Sequence, residues 1–165
     1  MPDRRQCILL RHGHAEPAIP GQPDLDRPLT HDGKLEASAA GRWLASHAFK
    51  PARVLTSPAA RAAATARAAC AELGETGMQI GIESDAAIYE ATPGALFDVI
   101  ERHQDAGPLL VVGHNPGMEQ LLGLLTDGRT EDVRGMPTAG IAWLDWPEGA
   151  PLEPGAARLR AFWSP

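Results

Sequence analysis

Cysteine and long apolar runs are scarce in this chain of 165 residues. The two cysteines, Cys7 and Cys70, are too few and too far apart for a disulfide framework, so we expect reduced core thiols and a cytoplasmic protein. The apolar run CILL at 7–10 falls far short of the roughly 20 residues that cross a bilayer, and no other stretch reaches that length. The first residues, MPDRRQ, are polar and precede no apolar region typical of a signal peptide. We therefore expect no membrane association.

Positive charge is also in short supply, since the net charge is −6 at pH 7. Proteins that bind nucleic-acid backbones are more often basic, so a nucleic-acid partner is not expected. Any cluster of cations in so acidic a chain must be local. Apolar residues make up 44% of the sequence, and the length suits one folded domain over residues 1–165.

The sequence does contain an alternation of strand and helix patterns. Four short apolar segments have the composition of buried parallel strands: residues 6–10, 52–56, 79–83 and 109–113. Helical patterns lie between and after them, at residues 31–48, 58–74, 94–105 and 116–126. Segments 140–146 and 157–163 flank a Pro/Gly-rich turn and predict an antiparallel edge strand or hairpin. Together these patterns predict an α/β fold of three layers, α/β/α, with a mainly parallel central sheet.

Two tryptophans lie on the first of the C-terminal segments, Trp143 and Trp146. Their positions have opposite parity, and successive side chains of a strand point to opposite faces. We therefore expect at least one of the two indoles to be exposed.

Three helices are predicted to begin at a capping side chain followed by proline: Ser57-Pro58, Thr92-Pro93 and Asn115-Pro116. The first and third of these starts directly follow a predicted strand. In an open α/β sheet such turns gather at the carboxyl ends of the strands, where ligands bind. This edge is the expected position of a site.

Arginine and histidine recur at these strand ends. Arg11 and His12 follow the first strand, Arg61 lies on the first turn after the second, and His114 and Asn115 follow the fourth. Two guanidinium groups beside helix N-termini suit a dianion such as phosphate. Two imidazoles suit acid, base or nucleophilic chemistry near neutral pH. The convergence of three separate turns therefore predicts one phosphoryl site.

Two further elements could border this site. Glu90 follows the third predicted strand and is the carboxylate best placed to reach the same edge, although an acid there could instead interact with a helix N-terminus. Segment 15–30 contains four prolines and follows the first strand, so it is either a surface connector or a lid.

The motifs together resemble the histidine phosphatase superfamily, the phosphoglycerate mutase-like or RHG group. The resemblance rests on RHG at 11–13, SPAARAAAT at 57–65, Glu90 and GHN at 113–115, and it includes RPLTHDG at 27–33. The short length and the motifs RHGHA, YEATP and MPTAG make the chain most similar to the small bacterial phosphohistidine phosphatases.

This resemblance implies a cofactor-independent and metal-free phosphatase in which His12 attacks phosphorus and becomes a phosphohistidine. Glu90 would protonate the leaving group. Neighbouring guanidinium groups would favour the neutral form of His12, and a backbone carbonyl would fix its tautomer. The residues that would hold the phosphoryl group are Arg11, Arg61, His114 and Asn115.

The sequence also departs from the larger members of that family. His14 and Ala15 follow the RHG motif where those enzymes typically carry Glu-Ser or Glu-Thr, and long insertions over the site are missing. These departures favour an open site that accepts phosphohistidine on a protein, such as a histidine-containing phosphotransfer domain. The alternative partner is a small phosphorylated metabolite, a sugar phosphate or a cofactor precursor. Charged residues that could recognise the rest of the substrate are Asp24, Asp26, Arg27, Arg129 and Arg134.

Two alternatives belong to other classes. His12 and His14 form an HxH pair of the kind used by metal-dependent hydrolases, with further ligands from His31, Asp32 or His114. A non-catalytic module that binds phosphate or a phosphopeptide could use the same arginines and histidines to hold the anion. The sequence predicts no oligomeric state.

Overall fold

The computed structural model describes residues 3–131 and 135–165. Six of its segments form one mixed sheet: β1 (Arg4–Arg11), β2 (Arg53–Thr56), β3 (Ile82–Ser84), β4 (Leu109–Gly113), β5 (Ile141–Pro147) and β6 (Arg158–Trp163). The strand order is β3-β2-β4-β1-β5-β6. The first four strands in this order are parallel, and β5 and β6 add an antiparallel edge. The predicted mainly parallel sheet with a C-terminal hairpin is confirmed.

In the described part of the chain, five α-helices accompany the sheet: α1 (His31–Ser46), α2 (Ala60–Ala71), α3 (Gly74–Gln79), α4 (Pro93–His103) and α5 (Gly117–Asp127). On one face, Leu44 of α1 and Ala66 of α2 belong to the same buried cluster as Ile8 of β1. On the other face, Val99 of α4 and Leu122 of α5 are buried with the opposite side of the sheet. Helices therefore cover both faces, as the three-layer prediction requires.

The third strand differs from its prediction. Residues 74–79 form α3, so β3 begins at Ile82 rather than at residue 79. Only three residues of this edge strand pair with β2. The apolar residues Ile80 and Ile82 pack at the margin of the core, which explains why they produced a strand-like pattern.

Two of the three predicted helix caps are also wrong in detail. Thr92 does cap α4, because its hydroxyl accepts a bond from the Ala95 N–H at 3.1 Å and Pro93 is the first helical residue. By contrast, α2 begins at Ala60 and α5 at Gly117, each later than predicted. Ser57 and Asn115 lie before these helices, where their side chains serve the site described below.

Two glycines allow β1 and α1 to approach closely. A Cβ atom on Gly13 would lie 2.4 Å from the carbonyl oxygen of Gly33, and one on Gly33 would lie 2.0 Å from that of His14. Both distances are far inside van der Waals contact, so neither position accepts a side chain without a backbone shift. This contact holds the turn after β1 against the start of α1.

The structure tests the predicted burial of the cysteines and the predicted exposure of a tryptophan on β5. Cys7 and Cys70 are free and buried, as predicted. The expectation that Trp143 or Trp146 is exposed is wrong, because both faces of β5 are covered and the two indoles are 5% and 1% exposed. Their indole N–H groups donate to the side chains of Gln6 and Gln104. Among the described residues, no helix combines the length and apolarity needed to cross a membrane.

Candidate active site

The carboxyl ends of β1, β2 and β4 lie side by side because the three strands are in register. Arg11 pairs with Gly113, and Thr56 pairs with Val112. The turns that follow these strands therefore meet at one edge of the sheet. The ring centroids of His12 and His114 are only 5.1 Å apart, although the two residues are 102 positions apart in the sequence.

The structure specifies the tautomer of His12. The residue is 8% exposed, and its Nδ1 lies 2.7 Å from the carbonyl oxygen of Gly13. A carbonyl can only accept, so Nδ1 carries the hydrogen and Nε2 is left with a lone pair. The expected backbone acceptor is thus the carbonyl of the next residue in the chain.

The hydrogen bonds of Ser57 specify the tautomer of His114. The Ser57 hydroxyl accepts a bond from the Ala59 N–H at 3.2 Å, and its oxygen lies 2.7 Å from Nε2 of His114. Among the described contacts, Nε2 of His114 is the one acceptor available to the serine hydrogen, so the hydroxyl donates to the imidazole and the ring hydrogen lies on Nδ1. Sequence reasoning treated Ser57 only as a helix cap and missed this contact.

Burial and positive charge keep both imidazoles neutral. Burial is the main reason that the pKa of His12 falls to about 4, and the guanidinium groups of Arg61 and Arg11 lower it further. Burial likewise lowers the pKa of His114 to about 3, with smaller contributions from His12 and Arg61. The sequence predicted the effect of the arginines, whereas desolvation is the larger cause.

These shifts predict that His12 and His114 stay neutral in an NMR titration between about pH 5 and pH 8, where a free imidazole titrates near 6.5. The unfolded chain takes up these protons near pH 6.5, whereas folded His12 stays neutral down to about pH 4. The free energy of unfolding should therefore decrease as the pH falls through this window. A ring signal of His12 that titrates near pH 6.5 would contradict the prediction.

Arg11 and Arg61 are each anchored through their terminal nitrogens. Nη1 of Arg11 donates to the Met136 carbonyl at 2.9 Å. Nη1 and Nη2 of Arg61 donate to the backbone carbonyl and the carboxylate of Asp24 at 2.8 and 2.9 Å. Arg61 is 5% exposed, so these bonds hold the charge in a nearly dry position.

Three buried side-chain nitrogens of the described residues have no hydrogen-bond partner: Nε of Arg11, Nε of Arg61 and Nδ1 of His114. All three side chains line the same cleft as His12. The arrangement therefore offers three N–H donors beside one unprotonated imidazole nitrogen. This combination suits phosphoryl transfer, because the transferred group carries its charge on three equatorial oxygens.

Thr65 is a positioning residue that sequence reasoning did not identify. Its hydroxyl donates to the Arg61 carbonyl at 2.7 Å and accepts from the Gly13 N–H at 3.0 Å. It therefore connects the turn after β1 to α2. The signal was present in the motif SPAARAAAT, where Thr65 lies one helical turn after Arg61.

Glu90 and Asn115 also line the cleft, in different ways. Glu90 is exposed at its rim. The Asn115 amide donates to the Glu119 carboxylate at 3.1 Å and to the Met136 carbonyl at 2.9 Å, which uses both of its hydrogens. In this arrangement both side-chain N–H groups of Asn115 have protein acceptors, and its expected contact with phosphate stays a prediction.

The cleft has a volume of about 730 Å³ and is open to solvent. Segment 15–30 forms part of its wall through Asp24 and Arg27, whereas Asp26 and Arg129 lie outside it. Arg134 is outside the described residues. Within residues 3–131 and 135–165, no three His, Cys, Asp or Glu side chains are grouped so that they could hold a metal ion. The HxH pair therefore has no third ligand in the described chain.

The chain is similar to known proteins in both sequence and structure. The sequence model of the histidine phosphatase superfamily (branch 1) matches residues 7–96, a region that ends before His114. An uncharacterised Mycobacterium tuberculosis protein is 36% identical over 165 residues, which cover 92% of this chain and 98% of the relative.

Solved structures that are similar over nearly the whole chain include two SixA proteins. SixA from Agrobacterium tumefaciens, assigned as a phosphohistidine phosphatase, is 30% identical with a TM-score of 0.81, covering 98% of both chains. SixA from Nakamurella multipartitia, with the same assignment, is 26% identical with a TM-score of 0.75, covering 100% of this chain and 99% of that one.

Proposed function

Because this chain belongs to the histidine phosphatase superfamily (branch 1), we propose that it hydrolyses a phosphoryl group through a covalent phosphohistidine at His12. One observation carries the proposal. The N–H donors of Arg11, Arg61 and His114 that lack a partner belong to side chains that line one cleft with His12, whose Nε2 is unprotonated. Each of these side chains is anchored by the protein, so the donors are oriented before substrate arrives.

His12 would act as the nucleophile. Its Nε2 lone pair attacks phosphorus in line, a P–N bond forms, and the bond from phosphorus to the leaving group breaks. The Gly13 carbonyl accepts from Nδ1 throughout and stabilises the positive charge that develops on the ring. Water then attacks phosphorus, the P–N bond breaks, and inorganic phosphate leaves.

Arg11, Arg61 and His114 would hold the three equatorial oxygens. Their N–H groups stabilise the charge of the transition state without a metal ion. Asn115 receives a different role from the one expected, because it binds the Met136 carbonyl that also anchors Arg11. It would therefore keep Arg11 in place rather than contact phosphate.

Glu90 is the carboxyl group on the cleft wall suited to protonate the leaving group and then to accept a proton from the attacking water. An alkoxide leaves poorly without such a proton. The P–N bond of phosphohistidine is labile, and its imidazole can acquire a proton elsewhere. The need for Glu90 should therefore depend on the substrate.

The preferred substrate is phosphohistidine on the surface of a protein, such as a histidine-containing phosphotransfer domain. The open cleft supports this choice, and so do the assigned activities of the two similar SixA proteins. A small phosphomonoester such as a sugar phosphate is the second candidate, favoured by the charge of Arg27 on the cleft wall.

Glu90→Gln tests both the leaving-group role and the substrate class. Phosphate release should fall by about 10²- to 10⁴-fold on an alkyl or sugar phosphate, the usual contribution of a general acid. On a phosphohistidine domain the loss should stay within about tenfold, because that leaving group needs less help. The measurement is initial rates of wild type and variant on both substrates.

Glu101→Gln is the matched control, because Glu101 is an exposed carboxylate on α4 away from the cleft. Equal losses on the two substrates would remove the leaving-group argument. A wild-type kcat/KM that is higher for a sugar phosphate than for the phosphohistidine domain would favour the second candidate.

A further inference from the structure

Asp24 binds the buried guanidinium of Arg61 from segment 15–30. The Asp24 backbone oxygen accepts from Nη1 at 2.8 Å, and its carboxylate accepts from Nη2 at 2.9 Å. These two bonds join residues 37 positions apart and fix the plane of the guanidinium. The free Nε–H of the same group is the donor assigned above to the phosphoryl oxygens.

Tyr89 holds the same carboxylate from the turn before α4. Its hydroxyl donates to Oδ2 of Asp24 at 2.6 Å, and its ring lies edge-on to His114, with centroids 5.6 Å apart. Hydrogen bonds from Tyr89 and Arg61 keep the pKa of Asp24 well below its usual range, so the carboxylate is charged at neutral pH. We call Asp24, Tyr89 and Arg61 the Asp24 clasp.

The hydrogen bonds of Asp24 include Arg61 but not the proposed nucleophile. Its described hydrogen bonds go to Arg61, Tyr89 and Arg27. None goes to His12, Arg11 or His114. Its side chain is 42% exposed, whereas that of Arg61 is 6% exposed. The carboxylate therefore approaches Arg61 from the solvent side and leaves Nε free.

We propose that Asp24, held by Tyr89, is a positioning residue that orients the Arg61 guanidinium toward the phosphoryl group. The proposal rests on the proposed function, in which Arg61 holds an oxygen of the phosphoryl group. Asp24 acts through Arg61 and touches no reacting atom. Segment 15–30 then helps to stabilise the transition state, because its Asp24 orients Arg61. In this role the proline-rich loop is a fixed wall of the site.

The test compares three single variants by the affinity for orthovanadate, measured by calorimetry, and by kcat/KM. Asp24→Asn removes the charge and should weaken vanadate binding about tenfold or more, as expected for a lost charge-assisted hydrogen bond. Asp24→Glu keeps the charge but moves it by one methylene, and it should also weaken binding by several-fold. Asp26→Asn removes the same charge two residues away and should match wild type, since Asp26 lies outside the cleft wall.

Tyr89→Phe provides an independent arm, because it removes one hydroxyl and keeps the ring beside His114. It should weaken vanadate binding by about threefold in wild type and have no further effect in Asp24→Asn, since Tyr89 acts through Asp24. In every affected variant, vanadate affinity should fall more than orthophosphate affinity. A merely structural role would lower both affinities equally and would overturn the proposal.

Other outcomes would overturn it as well. Unchanged vanadate binding by Asp24→Asn would mean that the carboxylate has no part in binding, and tighter binding would mean that it only opposes the anion. Wild-type affinity in Asp24→Glu would mean that charge matters and position does not. Wild-type protein that forms no phosphoenzyme would contradict the proposed function, whereas the vanadate affinities would still decide the role of the clasp.

Discussion

Replacing His12 by alanine is expected to abolish turnover and the phosphoenzyme together. Loss of a nucleophile typically costs about 10⁴-fold or more in kcat, because the remaining donors can bind the phosphoryl group but cannot accept it. Arg11, Arg61 and His114 remain in His12→Ala, so orthophosphate and vanadate should still bind. The measurement is rapid-quench trapping with a radiolabelled phosphoryl donor, followed by acid and base treatment, since phosphohistidine is labile in acid and stable in base.

His31→Ala is the matched control, because His31 is an exposed imidazole at the start of α1. It should retain both label and activity. Comparable thermal unfolding of the two variants would show that His12→Ala is folded. If His12→Ala still takes up the label, another residue is the nucleophile. A wild-type protein that binds phosphate yet takes up no label would support the non-catalytic binding module.

Arg61→Lys should be nearly as damaging although it conserves the charge. A lysine ammonium cannot bond both oxygens of Asp24 and also present the side-chain N–H that Nε provides. Removing one such donor from a transition-state site commonly costs about 10²- to 10³-fold in kcat. The variant also leaves the Asp24 carboxylate without its fork-shaped partner. Steady-state kinetics and vanadate affinity measure both effects.

Arg67→Lys is the control on the same helix, since Arg67 is exposed and lies outside the cleft. It should behave as wild type in both assays. If Arg61→Lys also kept the wild-type rate, the clamp would need only a positive charge at this position. The guanidinium geometry would then have no part in catalysis.

Much of the fold could be predicted because strand and helix patterns are local. The apolar segments of β1 and β4 lie at the centre of the sheet, where burial on both faces leaves an unmistakable apolar run. The edge strand β3 was misplaced because its apolar residues only border the core. Burial of both Trp143 and Trp146 depends on helices from distant parts of the chain, and parity within one strand carries no information about them.

By itself, the sequence determined the order of the elements and the chemical groups that follow β1, β2 and β4, because these depend on residue type and local spacing. Only the tertiary structure decided the tautomer of His114, the hydrogen bonds of the Asn115 amide, and the contact of Asp24 with Arg61. Each of these depends on a hydrogen bond whose length and direction follow from the register of the sheet and the path of a loop. The bonds from Ser57 to His114 and from Asp24 to Arg61 join residues 57 and 37 positions apart. No local pattern indicates a contact between residues so far apart in the chain. The candidate site residues could therefore be identified from the sequence, but these hydrogen-bond partners and the position of the His114 ring hydrogen could not.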